Sequence, residues 1–192
     1  MDGLLHIELK HKMCEFSISL IGVYLSPHNS PYGRDSSAFF ANPISLVYSS
    51  MISDITLACG DINPRISNID DFIASIDDIP SRQNIDTVKN THGESLISFL
   101  LDTKICVLVT PNLYNFTSIS TKGKSVVDYF LTTHHCLKFC KELAVIPMNE
   151  LITNYDLQHL VSSKCRTPDH SLVSLKLNYS LNLKVCLKTK IH

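Results

Sequence analysis

The sequence contains no apolar stretch long enough to cross a membrane. A spanning helix needs about 18–20 consecutive apolar residues, and the longest runs here are interrupted by Ser, Asp or Gly. The first residues, MDGLLH, also lack the basic start and long apolar region of a secretory signal. These absences predict an intracellular protein that is neither secreted nor embedded in a membrane.

The sequence also lacks an excess of charge of one sign. Its 192 residues include 17 Lys or Arg and 18 Asp or Glu, which gives a formal net charge of −1. This balance provides no overall attraction to nucleic acid, so a DNA-binding function has to depend on a local patch. The 44% apolar content is typical of an ordered globular chain, and the length suits a single domain.

No regular spacing relates the seven cysteines. Their number is odd and Cys59 and Cys106 lie inside apolar runs, so we expect buried free thiols, as in a reducing compartment. A competing interpretation is a zinc site formed by neighbouring imidazoles and thiolates: His134, His135, Cys136 and Cys140. The segment contains no C-x₂-C element, and adjacent His-His-Cys side chains converge poorly on one ion, which disfavours zinc.

The hydrophobic pattern predicts a mixed α/β domain in which strands outnumber helices. The predicted strands are 16–25, 54–59, 105–109, 116–120, 126–131 and 173–177. The predicted helices follow Asn42-Pro43 and Thr91, where Glu94 completes a capping box. We expect residues 1–15 to be poorly defined, residues 16–178 to form the domain and residues 179–192 to form a basic tail.

Three polar islands adjoin apolar, β-branched runs. They are Gly60-Asp61-Ile62-Asn63, Ser125-Val126-Val127-Asp128-Tyr129 and Pro168-Asp169-His170. Each island should place polar side chains at the end of a buried strand, where layered α/β proteins usually carry their sites. Together they supply carboxylates, a carboxamide and a carboxylate-paired imidazole, which can activate a water and hold a phosphate.

Each island also has a purely structural interpretation. Asp61 and Asn63 point to the same side of an extended segment, but the same residues form good turns. The imidazole of His170 beside Asp169 can bind phosphate or be satisfied by a nearby carbonyl. Tyr24, at the end of its strand, is either a phenol donor or an aromatic at the edge of the core.

Taken together, the islands resemble motifs of the endonuclease/exonuclease/phosphatase superfamily, which includes abasic-site endonucleases, DNase I and inositol polyphosphate 5-phosphatases. The matching segments are Val23-Tyr24-Leu25-Ser26-Pro27 for the tyrosine-bearing strand, Gly60-Asp61-Ile62-Asn63 for Gly-Asp-Phe-Asn, Val127-Asp128-Tyr129-Phe130 for the Asp-Tyr strand and Pro168-Asp169-His170-Ser171 for Ser-Asp-His. The intervening sequence is more similar still to endonuclease domains of non-LTR retrotransposons. In those domains a Thr precedes the Asp-Tyr strand, and Thr117 matches it. Residues 92–100 match a helix of those domains, which is followed by the segment matching residues 106–108.

The resemblance implies a DNase I-like fold, a layered α/β sandwich of mixed, largely antiparallel sheets flanked by helices. It also implies a catalytic set: Asp61 as the base or water-orienting carboxylate, Asn63 on the phosphate, Tyr24 on the transition state, and Asp128 paired with His170. Thr117 would join Asn63 in binding substrate, and Asp169 would hold the metal. The implied cofactor is Mg²⁺ or Mn²⁺, because hard oxygen ligands select such ions.

The resemblance covers residues 16–177, which correspond to the C-terminal two-thirds of a family domain. In intact members an earlier strand carries an Asn, and the next carries a Glu that is the main metal ligand. Only fifteen residues precede Phe16, and Glu8 and Glu15 are not in a convincing strand pattern. The sequence therefore predicts that the first strands are missing, together with that Glu.

These features predict a divalent-metal-dependent phosphodiester hydrolase that acts on DNA as a retrotransposon-type endonuclease, or an inactive relative that has lost the Glu. Such an enzyme would be nuclear if it acts on genomic DNA, and no obligate protein partner is expected. The alternative is a non-catalytic remnant that binds nucleic acid or protein through the turn at 121–124 and the basic segment at 184–190. Only the enzyme requires Asp61 and His170 together with a divalent ion.

Overall fold

Strands form the framework of the chain. The computed structural model describes residues 3–28, 30–31, 35–41, 48–49, 52–108, 115–161 and 167–179. Within these ranges the strands are β1 (Leu4–Lys10), β2 (Ser17–Val23), β3 (Ile55–Asp61), β4 (Ile105–Val107), β5 (Ser118–Ser120), β6 (Gly123–Ser125), β7 (Asp128–Thr133), β8 (Cys140–Ile146) and β9 (Leu172–Leu177). The helices are α1 (Ser36–Ala41), α2 (Thr91–Thr103) and α3 (Met148–Asn154), with 3₁₀ turns at His134–Phe139 and Gln158–Leu160.

Five strands pair in the order β1-β2-β3-β7-β4. The β2–β3 pair is parallel, and the other pairs of this sheet are antiparallel. Two further antiparallel pairs, β5–β6 and β8–β9, lie outside it. The structure thus confirms a mixed, largely antiparallel α/β sandwich flanked by helices. None of the described helices is long and apolar enough to span a membrane.

The large sheet is a middle layer with apolar residues on both faces. On one face, Ile21 and Leu131 pack with Leu96 and Leu100 of α2 in the first core cluster. On the other face, Ile55 and its neighbours pack against residues of β8 and β9 in the second core cluster. Burial of each large aliphatic side chain contributes about 1.5–3 kcal/mol, so these two contacts fix the strand order.

Strand β1 lies in the segment where the sequence predicted no element. It pairs antiparallel with β2 over its whole length, and Glu8 is opposite Ser19. The prediction that Glu8 lacks a strand context is therefore wrong. The strand was missed because its side chains are mostly exposed, so it shows none of the buried apolar runs that mark the other strands. Glu8 lies in the middle of β1 and forms an ion pair with Lys10.

The N-cap of helix α2 lies one residue before the predicted cap, Thr91. The side chain of Asn90, rather than that of Thr91, accepts a hydrogen bond from the Gly93 N–H at 2.8 Å. An amide oxygen at this position satisfies one of the free N–H groups of the first turn. The helix ends at Lys104, which is left-handed with φ 55°. The helix predicted after Asn42-Pro43 lies mostly outside the described residues.

One half-buried and one buried ion pair hold the long polar segment between β3 and α2. Arg65 binds both oxygens of Asp86, at 2.8 Å from Nε and 2.6 Å from Nη2, and Arg82 binds Asp71. Asp86 also accepts from the Val126 N–H at 2.9 Å. Burial opposes ionisation of Asp86, but these hydrogen bonds and Arg65 hold its pKa below the usual value. The pair therefore ties the chain leaving β3 to the chain entering β7.

Candidate active site

The two strand ends that carry Asp61 and Asp128 lie side by side. Asp61 is the last residue of β3, Asp128 is the first of β7, and they are register partners. Residues directly opposite in an antiparallel pair project from the same face, so both carboxylates reach the same point. The pairing continues past the strands, because the Ile62 N–H donates to the Val127 carbonyl at 3.1 Å.

His170 reaches this point through the β5 hairpin. It forms an antiparallel bridge with Ser118, and the Ser171 N–H donates to the Thr117 carbonyl at 2.7 Å. The imidazole lies between the two carboxylates: its Nδ1 is 3.0 and 3.1 Å from the Asp128 oxygens, and its Nε2 is 3.9 Å from Asp61 Oδ2. The pairing of Asp128 with His170 implied by the resemblance is the arrangement in the structure.

Thr117 is buried, with 1% of its surface exposed. Its hydroxyl accepts from the backbone N–H groups of Val127 at 2.9 Å and Asp128 at 3.0 Å. The resemblance implies a substrate-binding role, but the hydroxyl is committed to the backbone instead. Thr117 therefore positions Asp128 relative to the His170 segment and presents little surface to a substrate.

The remaining predicted residues surround the cluster without entering it. Asn63 adopts a left-handed conformation with φ 56°, and its side-chain N–H donates to the Leu25 carbonyl at 2.8 Å. Asn tolerates this conformation better than most residues. Tyr24, just beyond β2, is 53% exposed. Asp169 is exposed, and its carbonyl accepts from the Ile119 N–H at 2.7 Å.

The pKa of the Asp61 carboxyl is raised above its ordinary value. Burial is the largest cause of its raised pKa, and the nearby Asp128 charge adds to it. The charge of His170 and the hydrogen bonds from the amide groups of Asn63 lower the pKa of Asp61, but by less than burial and Asp128 raise it. Its Oδ1 atom is buried and has no hydrogen-bond partner among the described residues. A carboxylate with a raised pKa and a free oxygen can take a proton from a water.

The pKa of the His170 imidazole is raised, which favours its charged form. Burial alone would lower its pKa, but the charge and hydrogen bond of Asp128, with smaller contributions from Asp61 and Asp169, outweigh burial and raise it. An imidazolium whose Nδ1 is occupied by Asp128 presents its Nε2–H toward Asp61 and the opening of the site. It can therefore donate a hydrogen bond to an anionic oxygen that binds there.

This raised pKa makes folding stability depend on pH. A histidine whose pKa is higher in the folded state stabilises the fold below its unfolded pKa, ordinarily about 6.5. The stabilisation is lost as pH rises through the folded-state value. We expect NMR titration of the His170 ring in EDTA to give a pKa above the ordinary value, and Asp128→Asn to lower it. An unchanged pKa in Asp128→Asn would contradict the assigned cause.

Asp61, Asp128 and His170 also form a possible metal-binding group. One ligand atom from each lies within 4.8 Å of the others, and no other such group occurs in the described part of the chain. Asp169, the residue implied as the metal ligand, is not in this group. Neither are the residues of the alternative zinc site, of which Cys136 is buried and donates toward the Asp54 carbonyl.

Sequence reasoning missed the residues that support the cluster. Arg65 and Asp86 link the chain beyond Asn63 to the chain before Asp128, and Asn90 accepts from the Arg65 N–H at 2.9 Å. The segment contains several Asp residues, and nothing in the local sequence indicates which of them is buried. The only signal was the unusual length of this polar segment between two well-defined elements.

Comparison with solved structures finds the same sheet sandwich in several nucleases. The endonuclease domain of TRAS1, a telomere-specific non-LTR retrotransposon, superposes with a TM-score of 0.59 at 15% identity over 93% of this chain. The AP endonuclease LMAP from Leishmania major superposes with a TM-score of 0.59 at 12% identity over 93% of this chain. The 3′-5′ exonuclease NExo from Neisseria meningitidis superposes with a TM-score of 0.54 at 16% identity over 85% of this chain.

The chain therefore shares the fold of these nucleases, a DNase I-like layered α/β sandwich, and the retrotransposon endonuclease domain is among its structural neighbours. It spans 65% of the TRAS1 domain, 55% of LMAP and 62% of NExo. No protein-family profile and no curated protein matches the sequence. The likeness is carried by the three-dimensional structure and by the short motifs.

Proposed function

We propose that the chain is a divalent-metal-dependent phosphodiester hydrolase that nicks DNA. The observation that carries this proposal is the placement of the His170 imidazole between two carboxylates. Its Nε2 lies 3.9 Å from Asp61 Oδ2, and its Nδ1 lies 3.0 Å from Asp128 Oδ2. This arrangement combines a proton acceptor and a cationic donor at one point, as phosphodiester hydrolysis requires.

The cluster assigns each side chain a separate task. Asp61, with its raised pKa, orients a water and accepts its proton as the water attacks phosphorus. The bond from phosphorus to one ester oxygen breaks in the same displacement, and a solvent water protonates the departing oxygen. His170 donates its Nε2–H to a nonbridging phosphate oxygen, where negative charge develops in the transition state. Asp128 keeps the imidazole charged and correctly oriented through Nδ1, and Thr117 holds Asp128 in place.

The donor atoms fit a hard divalent cation. Mg²⁺ and Mn²⁺ prefer carboxylate oxygens and retain several waters, and the carboxylates of Asp61 and Asp128 supply such oxygens. Asp61 and Asp128 would hold the ion, with Asp169 near enough to influence the charge of His170. When bound, the ion would neutralise negative charge on the phosphate.

DNA is the substrate that we propose. Several structural neighbours are DNA enzymes, and one of the NExo structures contains a product DNA hairpin. In this chain the exposed Lys122 and Lys124 lie on the β5–β6 turn, next to the strand that positions His170. The retrotransposon-like sequence around Thr117 favours an endonuclease of that type, which would act on genomic DNA in the nucleus.

The first test is nicking of supercoiled plasmid by the purified chain. We expect conversion to the open-circular form in Mg²⁺ or Mn²⁺ and none in EDTA, because Asp61 and His170 alone leave the phosphate charge largely unneutralised. Asp61→Asn, prepared in the same way, shows whether nicking comes from a contaminating nuclease. Nicking that persists in EDTA, or is equal in Asp61→Asn, would rule out this function.

A second function is a module that binds nucleic acid without cutting it. The specific observation in its favour is that the cluster has only two carboxylates and leaves Asp169 outside. A folded chain that retards DNA in gel-shift experiments but does not nick it with any divalent ion would establish this alternative.

A further inference from the structure

The chain entering β7 has three consecutive backbone N–H groups bound by side-chain oxygens. The Val126 N–H donates to Asp86 Oδ2 at 2.9 Å, and the N–H groups of Val127 and Asp128 donate to the Thr117 hydroxyl. Strand N–H groups ordinarily find such partners in the backbone of a neighbouring strand. Two side chains therefore contribute to the position of Asp128, and Asp86 holds the first residue of this stretch.

The Asp86 carboxylate is fixed in one orientation by four hydrogen bonds. Its side chain is 2% exposed. Oδ1 accepts from Arg65 Nη2 at 2.6 Å and from the Val88 N–H at 3.0 Å, and Oδ2 accepts from Arg65 Nε at 2.8 Å as well as from the Val126 N–H. A bidentate arginine–carboxylate pair adds geometric specificity to strong, charge-assisted hydrogen bonds. Val126 is therefore held by an acceptor that is itself fixed.

Arg65 anchors this carboxylate to the start of α2. The Arg65 N–H donates to Asn90 Oδ1 at 2.9 Å, and the Arg65 carbonyl accepts from the Asn90 N–H at 3.0 Å. The same Asn90 oxygen accepts from the Gly93 N–H in the first turn of the helix. Because Arg65 also lies on the chain that leaves Asp61, the network joins the segments of both catalytic carboxylates to one helix.

We propose that Asp86 is a positioning residue for the reaction, which keeps Asp128, and through it His170, aligned while DNA is bound. This inference rests on the proposed function, in which DNA lies against the β5–β6 turn. Lys124 is on β6, and Val126 is the point at which the chain passes from β6 toward β7. An anchor at Val126 prevents a displacement of the turn by DNA from moving Asp128. A misplacement of about 1 Å can reduce the rate of a reaction by about 10²-fold.

Steady-state nicking kinetics test this role. Asp86→Asn keeps the shape of the side chain but has one acceptor oxygen instead of two, so it cannot hold both Val88 and Val126. We expect kcat to fall by about 10–10²-fold and KM to change by less than about twofold, because the contacts with DNA remain. The double variant Arg65→Gln with Asp86→Asn leaves no charge unpaired, so it guards against a failure to fold. It should show the same loss of kcat.

Asp71→Asn, alone and together with Arg82→Gln, is the matched control. Asp71 is also buried, pairs with Arg82 and accepts from the Val107 N–H at 2.6 Å, so the variant loses the same kinds of hydrogen bond. Val107 belongs to β4, and Asp128 therefore keeps its own anchor. We expect the wild-type kcat, at a temperature at which circular dichroism shows every variant folded. Equal kcat values for Asp71→Asn and Asp86→Asn would overturn the positioning role.

Amide hydrogen exchange, measured by NMR without metal or DNA, tests the role independently of nicking. In Asp86→Asn the amides of Val126, Val127 and Asp128 should exchange at least about tenfold faster relative to those of β3, the scale of losing a hydrogen bond to a charged group. In Asp71→Asn the acceleration should instead occur at Val107. A wild-type chain that does not nick would overturn the proposed function, whereas unchanged relative exchange at the three amides would overturn the positioning of Asp128.

Discussion

Replacing His170 by Ala is expected to reduce metal-dependent nicking by about 10²–10⁴-fold, the usual contribution of a positioned acid–base group. The reason is the position of the imidazole: its Nδ1 is held 3.0 Å from Asp128, and its Nε2 points toward Asp61 at 3.9 Å. Alanine removes both the donor to the phosphate and the positive charge between two carboxylates. The measurement is the single-turnover nicking rate in Mg²⁺.

The controls separate loss of chemistry from loss of fold. The His170 side chain is 41% exposed, so His170→Ala should keep the wild-type circular dichroism spectrum and a cooperative unfolding transition. His135→Ala, at an exposed histidine on a 3₁₀ turn, should nick at the wild-type rate.

Replacing Gly60 by Ala is expected to lower the free energy of unfolding by about 3–5 kcal/mol, in the range of severe backbone or packing disruption. Gly60 has φ +151°, and a Cβ atom there would lie 1.8 Å from the Val23 carbonyl oxygen. That oxygen belongs to the backbone of β2, so β2 and β3 would have to move apart. The movement would also displace Asp61, the next residue, from His170.

Urea unfolding provides the measurement, and Gly22→Ala provides the matched control. Gly22 lies on the adjacent strand β2, and the nearest atom to an added Cβ there is the Cβ of Leu5 at 3.4 Å, an ordinary contact. We expect Gly22→Ala to unfold within about 1 kcal/mol of the wild-type chain. Equal urea concentrations at the unfolding midpoints of the two variants would mean that the fold tolerates a Cβ atom at Gly60 despite its close approach to Val23.

The buried strands could be predicted from the sequence, because a buried strand requires a short run of apolar residues. β3 and β7 have short apolar runs that end at polar residues, and both were predicted within a few residues of their observed bounds. Strand β1 has no buried apolar run, since most of its residues are exposed, and its only local signal is the alternation of Leu5, Ile7 and Leu9 with polar residues. The cap of α2 was misplaced by one residue because Asn90 and Thr91 are both good capping residues.

The sequence by itself determined which chemical groups stand at the ends of the strands, because that depends on residue type and local periodicity. Only the tertiary structure decided how those groups are combined. Asp128 and His170 are separated by 42 positions, and their contact depends on the pairing of β3 with β7 and on the bridge at Ser118. The same long-range packing buried Thr117 behind Asp128 and left Asp169 at the surface. Hydrogen-bond distances and burial are properties of packed segments, so no local pattern could supply them.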